Sequence, residues 1–431
     1  MAASGGTIDR AQRALRLAAD AQKAGRTLEA QRHYRDVLTI DAQNVVALNG
    51  LGMVALRSGD CGAATWFRRA IQADATSTVL WLNLASAFRL SHDDDGEEEA
   101  LRQALSIDRQ NVMANLRLAE LLDRGGREKE AFEYWGGLVT MLSLLPDGGP
   151  DVDRVLKVAR ERADAYRAKF AQEIDTAIAN ERDRMPPEQR RRFDRCVDTM
   201  VGRRRIYHHQ PHGLHFPFLP EDEFFDRSLF PWLPELESQT PAILADLQGL
   251  MSSADADFAP YVQMAPGSPK NDWSPLDQSR RWSARHLWRY GLRDDAACAR
   301  CLATVAALAA VPMADIPGQG PTVFFSVLAP GTRLPPHTGV SNIRSIVHLP
   351  LIVPDGCGFR VGGETRSWRV GEAFVFDDTI EHEAWNDSDH PRAVLIFDIW
   401  NPHLQPTEIA GLRTLFTAMG NEAASIAHVS D

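Results

Sequence analysis

Two histidines in the last quarter of the chain, His337 and His382, stand where a metal could be bound. His337 follows a Pro-Pro turn, and His382 begins a β-rich run after an acidic turn. Two imidazoles from separate strands suit Fe(II), with open positions left for a co-substrate and dioxygen. The usual third ligand is a carboxylate two residues after the first histidine, and here that position is Gly339. Spacing alone leaves two interpretations open, a two-histidine metal site and ordinary core histidines.

The other candidate metal ligands are weaker. His208, His209, His212 and His215 lie within eight residues, but in a loop-like setting without cysteine partners, so we do not predict a metal site there. Five scattered cysteines are too few for a disulfide scaffold and are typical of a reducing compartment. The pair Cys298 and Cys301 is interpreted as two thiols on a helix.

The elements around His337 and His382 read as strands. Short β-rich runs are separated by Pro-Gly, Pro-Asp-Gly and Gly-Gly punctuation, and the Gly-Gly pair suits a tight hairpin. This pattern predicts a sandwich, barrel or jelly roll. The predicted strands are 322–328, 343–353, 358–361, 364–370, 373–377 and 392–400.

The first third of the chain is a repeat. The repeat is marked by large side chains at steps of 33 or 34 residues: Tyr34, Phe67, Leu101 and Trp135. Four residues before each of them is a position that carries a small side chain in three of the four repeats. The step resembles the tetratricopeptide repeat (TPR), in which stacked helix pairs form a solenoid. Such a solenoid predicts a surface for a protein or peptide partner and no chemistry of its own.

Composition limits the remaining possibilities. A chain of 431 residues is long enough for two or three domains, and a net charge of −11 argues against a general nucleic-acid binder. We expect a soluble, cytoplasmic protein without a membrane partner, because neither a signal peptide nor an 18-residue uncharged stretch is evident. The predicted domains are a TPR-like region at 8–145, a helical connector at 146–215, an oxygenase domain at 216–405 and a C-terminal helix and tail at 406–431.

Five segments together resemble the aspartyl/asparaginyl β-hydroxylase family of 2-oxoglutarate-dependent oxygenases. They run in the family's order and give a dense match over about residues 320–405; the segments are Ser326–Gly339, Asn342–Arg344, His348–Pro354, Gly371–Asn386 and Arg392–Pro402. The resemblance implies an α+β chain in which the helical solenoid precedes a double-stranded β-helix, a jelly-roll or cupin-like fold. Animal members of the family also carry a repeat solenoid before this domain.

The resemblance implies a role for each matched residue. Members bind Fe(II) through two histidines without a carboxylate, so His337 and His382 are the implied metal ligands and Gly339 fits the pattern. Ser326 and Arg392 would bind the distal carboxylate of 2-oxoglutarate, since the guanidinium fork suits a carboxylate. His348 and Arg344 would lie beside the co-substrate or substrate.

The implied reaction couples 2-oxoglutarate and dioxygen to hydroxylation of an amino-acid side chain, at the β-carbon of Asp, Asn or a related residue. The substrate would be a peptide, a protein or a small molecule. Two departures concern its recognition, since Ile346 and Phe324 stand where members usually carry basic residues. Two alternatives remain: a catalytically silent interaction module, and a halogenase that exploits the missing carboxylate.

Overall fold

The chain divides into two compact units. We analysed a computed structural model, which describes residues 2–145, 148–253 and 257–420. Contacts group Met1–Arg184 into one unit and Met185–Asp431 into the other, so the division falls inside the predicted connector. The first two residues of that connector and residues 421–431 of the predicted tail lie outside the described residues.

The first unit is entirely helical. The predicted helical connector contains the long, charged helix α9, whose alanine-rich stripe packs on α8 and continues the core of the helix pairs. The helices are α1 Ala2–Lys23, α2 Thr27–Ile40, α3 Val45–Arg57, α4 Ala63–Ala73, α5 Thr78–Leu90, α6 Asp94–Ile107, α7 Val112–Arg124, α8 Glu128–Ser143 and α9 Gly149–Asp183.

The repeat predicted from the sequence forms the core of this unit. Helices pack in the consecutive pairs α1/α2, α3/α4, α5/α6 and α7/α8. Tyr34, Phe67, Leu101 and Trp135 are all buried, one on the second helix of each pair. Gly52 lies where α3 meets Phe67, and a Cβ there would come within 2.5 Å of the phenyl ring. The pairs thus resemble TPR units, and their small residues allow the close approach.

One repeat solves its packing differently. Glu97 occupies the position that is small in the other repeats, and it is completely buried. Arg117 and Arg124 approach its carboxylate at 3.4 and 3.3 Å, and Arg89 lies at 3.6 Å. The surrounding arginines supply the opposite charge that a buried carboxylate requires.

Replacing Phe67 with alanine should destabilise the helical unit by about 3–5 kcal/mol, because the ring is fully buried between helix pairs that cannot collapse onto the cavity. Urea unfolding followed by circular dichroism measures the effect. Val79→Ala, at a side chain that is 59% exposed, is the matched control and should stay within about 0.5 kcal/mol of the unmodified protein. Equal losses in the two variants would contradict this account of the core.

The second unit combines two sheets with short helices. A 3-10 helix spans Arg227–Leu229. The helices are α10 Pro187–Met200, α11 Leu233–Ser238, α12 Thr240–Met251, α13 Asp295–Arg300, α14 Leu302–Leu308 and α15 Pro406–Met419. The strands are β1 Ala259–Pro260, β2 Trp282–Arg289, β3 Leu292–Arg293, β4 Val323–Leu328, β5 Thr332–His337, β6 Arg344–Ile352, β7 Cys357–Val361, β8 Glu364–Ser367, β9 Phe374–Phe376, β10 His382–Asn386 and β11 Arg392–Trp400.

The larger sheet has two different faces. Its strand order is β1-β2-β4-β11-β6-β9, with β3 beside β2. Because side chains alternate along a strand, odd-numbered residues such as Phe325, Val347 and Leu395 point to one face. They join Ile243 and Leu247 of α12 in a continuous apolar core. The even-numbered residues of β4, β6 and β11 therefore point to the opposite face.

The smaller sheet supplies the other wall of the unit. Its strand order is β5-β10-β7-β8, and the predicted Gly-Gly hairpin joins β7 to β8. β10 begins at His382, where the sequence predicts the start of a β-rich run. β5 is not among the predicted runs, because its two prolines weaken the strand signal. No helix among residues 2–145, 148–253 and 257–420 is long and apolar enough to span a bilayer.

Candidate functional site

The pairing of β5 with β10 brings the two predicted metal ligands together. His337 and His382 are directly opposite each other in the antiparallel register, and their ring centroids are 4.1 Å apart. Directly opposed residues of an antiparallel pair project to the same face of the sheet. Two histidines far apart in the chain thus become neighbours through strand register alone.

Both rings are held in one tautomer. His337 Nδ1 lies 2.8 Å from the carbonyl oxygen of Pro335, and His382 Nδ1 lies 3.0 Å from that of Ile380. A carbonyl only accepts, so each Nδ1 carries the proton and each Nε2 keeps a lone pair. Burial lowers the pKa of both histidines, so both are neutral, the form that binds a metal. The pair therefore fits a metal bound through two imidazoles.

These histidines line a cavity of about 510 Å³ between the sheets. All six predicted site residues reach it: His337 and His382 from the smaller sheet, and Ser326, Arg344, His348 and Arg392 from even positions of the larger one. Among the described residues, however, no group of three His, Cys, Asp or Glu side chains is arranged to hold a metal ion. Any metal here would rely on two protein ligands.

Arg392 is a buried cation for which the described residues supply no ion-pair partner. It is 2% exposed, and no described residue forms an ion pair with its guanidinium. Burial lowers its pKa to about 10, and its main neighbour is the Trp368 ring at 4.8 Å. The buried nitrogens Arg392 Nε, His348 Nδ1 and Trp368 Nε1 all lack a hydrogen-bond partner among the described residues. Such a cluster of unsatisfied polar atoms fits an anion brought from outside.

Ser326 extends the same cluster. Trp282 Nε1 donates to Ser326 Oγ at 3.1 Å, which leaves the hydroxyl proton of Ser326 available as a donor. Ser326 is on β4, which pairs with β11, the strand of Arg392; Val394 of β11 lies opposite Ser326. Ser326 and Arg392 thus point from adjacent strands into the same cavity, as a dicarboxylate site would require.

Arg344 differs from Arg392 because it already has a partner. Its guanidinium lies 3.1 Å from the carboxylate of Asp398, and both side chains are largely buried. Burial opposes the charge of Arg344, but Asp398 and Asp378 outweigh it and raise the pKa of the guanidinium. Arg344 therefore reaches the cavity as half of an ion pair.

The carboxyl group of Asp378 lies beside Gly339, the position at which a carboxylate ligand is usual. A Cβ built on Gly339 would collide with the carboxylate of Asp378, which is buried and has one oxygen without a hydrogen-bond partner. Burial raises the pKa of Asp378 to about 7, with Arg344 opposing the shift. Gly339 is thus the residue that allows Asp378 to approach this side of the cavity.

Gly339→Ala should destabilise the protein by about 1–3 kcal/mol, because the added methyl group overlaps the Asp378 carboxylate. In an Asp378→Ala background the same change should cost at least about 1 kcal/mol less, since the partner is gone. Urea unfolding of the four proteins in this double-mutant cycle measures the coupling. Strictly additive effects would contradict the contact.

The acidic turn before His382 does not orient its ring. Asp378 and Glu381 are carboxylates of this turn, but the backbone carbonyl of Ile380 holds Nδ1 of His382. Glu381 instead pairs with Arg360 at 2.9 Å. The ring of His382 is therefore oriented by a backbone carbonyl and not by a carboxylate of the turn.

The histidine-rich loop also gains a defined position. His208 pairs with Glu221 at 2.8 Å, and buried His209 pairs with Asp377 at 2.9 Å. His212 hydrogen-bonds to the Thr338 hydroxyl and lines the cavity, a contact that the sequence reasoning missed. No sequence signal marked His212 out from its neighbours.

Several aromatic residues of the cavity were missed as well. Tyr261, Trp282 and His286 line it, and none of them lies in the five segments that carry the family resemblance. The period-2 pattern of β2 was the available signal, since Trp282, Ala284 and His286 alternate with residues of the other face.

Comparison with known proteins agrees with this geometry. A family model described as Aspartyl/Asparaginyl beta-hydroxylase matches residues 237–402. The human aspartyl/asparaginyl beta-hydroxylase is 37% identical over 139 residues, which are 31% of this chain and 18% of that protein. The ornithine lipid ester-linked acyl 2-hydroxylase of Rhizobium tropici is 31% identical over 197 residues, which are 45% of this chain and 66% of that protein.

For the helical unit, a crystal structure of MamA protein is 21% identical, with a TM-score of 0.32, and the match covers 40% of this chain and 95% of that chain.

The chain spans about a fifth of the human hydroxylase and about two thirds of the bacterial one. The matched residues contain both histidines of the β5/β10 pair and the Ser326/Arg392 cluster. Residues 237–402 therefore form a domain of the aspartyl/asparaginyl β-hydroxylase family.

Proposed function

We propose that the second unit is an Fe(II)- and 2-oxoglutarate-dependent dioxygenase that hydroxylates a carbon of its substrate. The two sheets, with their faces toward a common cavity, are in this proposal a double-stranded β-helix. One observation carries the proposal: the buried Arg392, which forms no ion pair with any described residue, shares a cavity with a neutral, oriented pair of histidines. An anion-binding cluster beside a two-histidine pair matches the needs of a dicarboxylate co-substrate and a metal.

In this proposal His337 and His382 hold iron through Nε2, and their neutral tautomer is maintained by the carbonyls of Pro335 and Ile380. When bound, the iron supplies activation of dioxygen and oxidation of a C–H bond. Arg392 and Ser326 bind the distal carboxylate of 2-oxoglutarate and thereby fix its orientation.

The matched residues exclude neither of the substrates named by the relatives. The human relative is named for aspartyl and asparaginyl residues, and the bacterial one for an ester-linked acyl group of ornithine lipid. A side-chain β-carbon of Asp, Asn or a related residue, in a peptide, a protein or a small molecule, is thus one candidate. We also propose that the helical repeats of the first unit bind a protein or peptide partner.

Succinate formation tests the activity. The full-length chain, supplied with Fe(II), ascorbate and 2-oxoglutarate, should form succinate only when the metal and co-substrate are both present. Asp- and Asn-containing peptides, free amino acids and lipid extracts are then compared for stimulation of turnover and for a product that gains one oxygen. Absence of both bound iron and any thermal shift with 2-oxoglutarate would instead favour a catalytically silent interaction module.

The reaction product distinguishes a halogenase from a hydroxylase. The same reaction run with chloride and analysed by mass spectrometry distinguishes addition of oxygen from addition of chlorine. We expect oxygen, because the Asp378 carboxyl group occupies the space beside Gly339 and leaves less room for a halide at that position.

A further inference from the structure

The cavity has a second region, with aromatic walls, which adjoins the Ser326/Arg392 cluster through the hydrogen bond from Trp282 to Ser326. Tyr261 stacks on Trp282 with ring centroids 3.8 Å apart, and Trp273 lies 5.9 Å from Trp282. On the other side, the Phe324 ring lies 5.4 Å from Tyr261 and 5.0 Å from His286. We call these five residues the aromatic arm.

Strand register explains why these side chains converge. His286 of β2 lies opposite Phe324 of β4, so both project from the cavity face of the larger sheet. Ile346 of β6 lies on that face as well and lines the cavity. Ile396 of β11, the strand between β4 and β6, lines the cavity too. Apolar and aromatic side chains from four neighbouring strands thus form this wall.

The aromatic arm reaches the reactive end of the cavity. Trp273 contacts the edge of the His337 ring, with ring centroids 4.9 Å apart. A group held in this arm would therefore lie beside the histidine pair. By contrast, Ser326 and Arg392 face the cluster of unsatisfied polar atoms already described.

Among the described residues, none supplies the aromatic arm with a buried cation that lacks an acidic partner. Burial, with smaller contributions from Arg289 and Arg285, lowers the pKa of His286 to about 4, so this ring is neutral. Arg344 is committed to Asp398 at 3.1 Å. Arg289 lines the cavity only from an exposed position, where it stays in contact with water.

This balance of charges selects among substrates. A carboxylate entering the aromatic arm would lose its hydration without gaining an ionic partner, which is strongly unfavourable. An uncharged hydrocarbon group would gain free energy from removal of its surface from water and from contact with the rings. The walls therefore reject an acidic group and accept an apolar one.

We infer that the substrate presents an uncharged apolar group, aromatic or aliphatic, to the aromatic arm, and that an aspartate side chain is a poor ligand. The inference rests on the proposed function only in assigning that group to a substrate. It concerns binding, which can be measured without turnover.

Isothermal titration of the full-length chain provides the test. The probes are N-acetyl-phenylalanine amide, N-acetyl-leucine amide and N-acetyl-aspartate amide, each titrated with and without 2-oxoglutarate. We expect the Phe or Leu compound to bind at least about tenfold more tightly than the Asp compound. The Phe/Leu ratio distinguishes an aromatic from an aliphatic ligand. Equal or tighter binding of the Asp compound, or no binding of either apolar compound, would overturn the inference.

A matched pair of variants sharpens the test. Phe324→Lys introduces a cation into the aromatic arm and should shift the Asp/Phe affinity ratio at least tenfold toward Asp, whereas Phe324→Leu should keep the original preference. Melting curves confirm that both variants fold, and the comparison in the unmodified chain does not depend on them. An unchanged ratio in a folded Phe324→Lys protein would count against the inference.

The two proposals fail separately. Apolar binding without any binding of 2-oxoglutarate would support the aromatic arm and refute the dioxygenase. Succinate formation together with a preference for the Asp compound would support the dioxygenase and refute the inference.

Discussion

Replacing His382 with alanine should lower 2-oxoglutarate turnover by at least about a hundredfold, since even residues that only support metal ligands contribute ten- to a hundredfold. His382 is 7% exposed and lies opposite His337, with ring centroids 4.1 Å apart. Without His382, the β5/β10 pair would offer iron one imidazole. Succinate formation and bound iron, determined by native mass spectrometry, should therefore fall together.

The control for this variant is another histidine outside the cavity. His390→Ala removes an exposed imidazole from the turn before β11 and should leave both quantities unchanged. Added imidazole should partly restore iron binding to His382→Ala, because the deleted ring leaves space of the same shape. A folded His382→Ala protein with undiminished succinate formation would refute the assignment of this histidine to the metal.

The solenoid was predictable because its contacts are local. Tyr34, Phe67, Leu101 and Trp135 mark a period that stacks each helix pair on its neighbours, so the period in the sequence becomes the period in space. The buried Glu97 could not be explained from the repeat alone. Its burial depends on arginines of another helix, and the residue type at position 97 does not reveal these partners.

The cavity was only partly predictable, since strand register decides which residues meet. The motifs identified His337, His382 and Arg392, but the pairing of Arg344 with Asp398 depends on how β6 lies beside β11. Likewise, His212 reaches the cavity from a loop whose composition suggests only an irregular segment. Contacts between distant segments carry no local pattern, so the structure was needed to find them.

Replacing Arg392 with methionine should weaken 2-oxoglutarate binding by about two orders of magnitude and yet make the ligand-free protein more stable. The guanidinium is buried, and no described residue forms an ion pair with it, so its charge opposes folding until an anion binds. Methionine fills a similar volume without charge. Replacing buried charge by apolar groups of similar size stabilises proteins by about 1–4 kcal/mol where it has an effect.

Arg392→Met should weaken 2-oxoglutarate binding but raise the stability of the ligand-free protein. These opposite effects distinguish a binding role of Arg392 from a structural one. If Arg392 served mainly to hold β11 against Trp368, the variant would melt at a lower temperature and 2-oxoglutarate would still shift the transition. If Arg392 is kept for the co-substrate, the ligand-free melting temperature rises and the 2-oxoglutarate shift disappears. Arg392→Lys keeps the charge but loses the planar fork, so it should retain the lower stability and recover only part of the affinity.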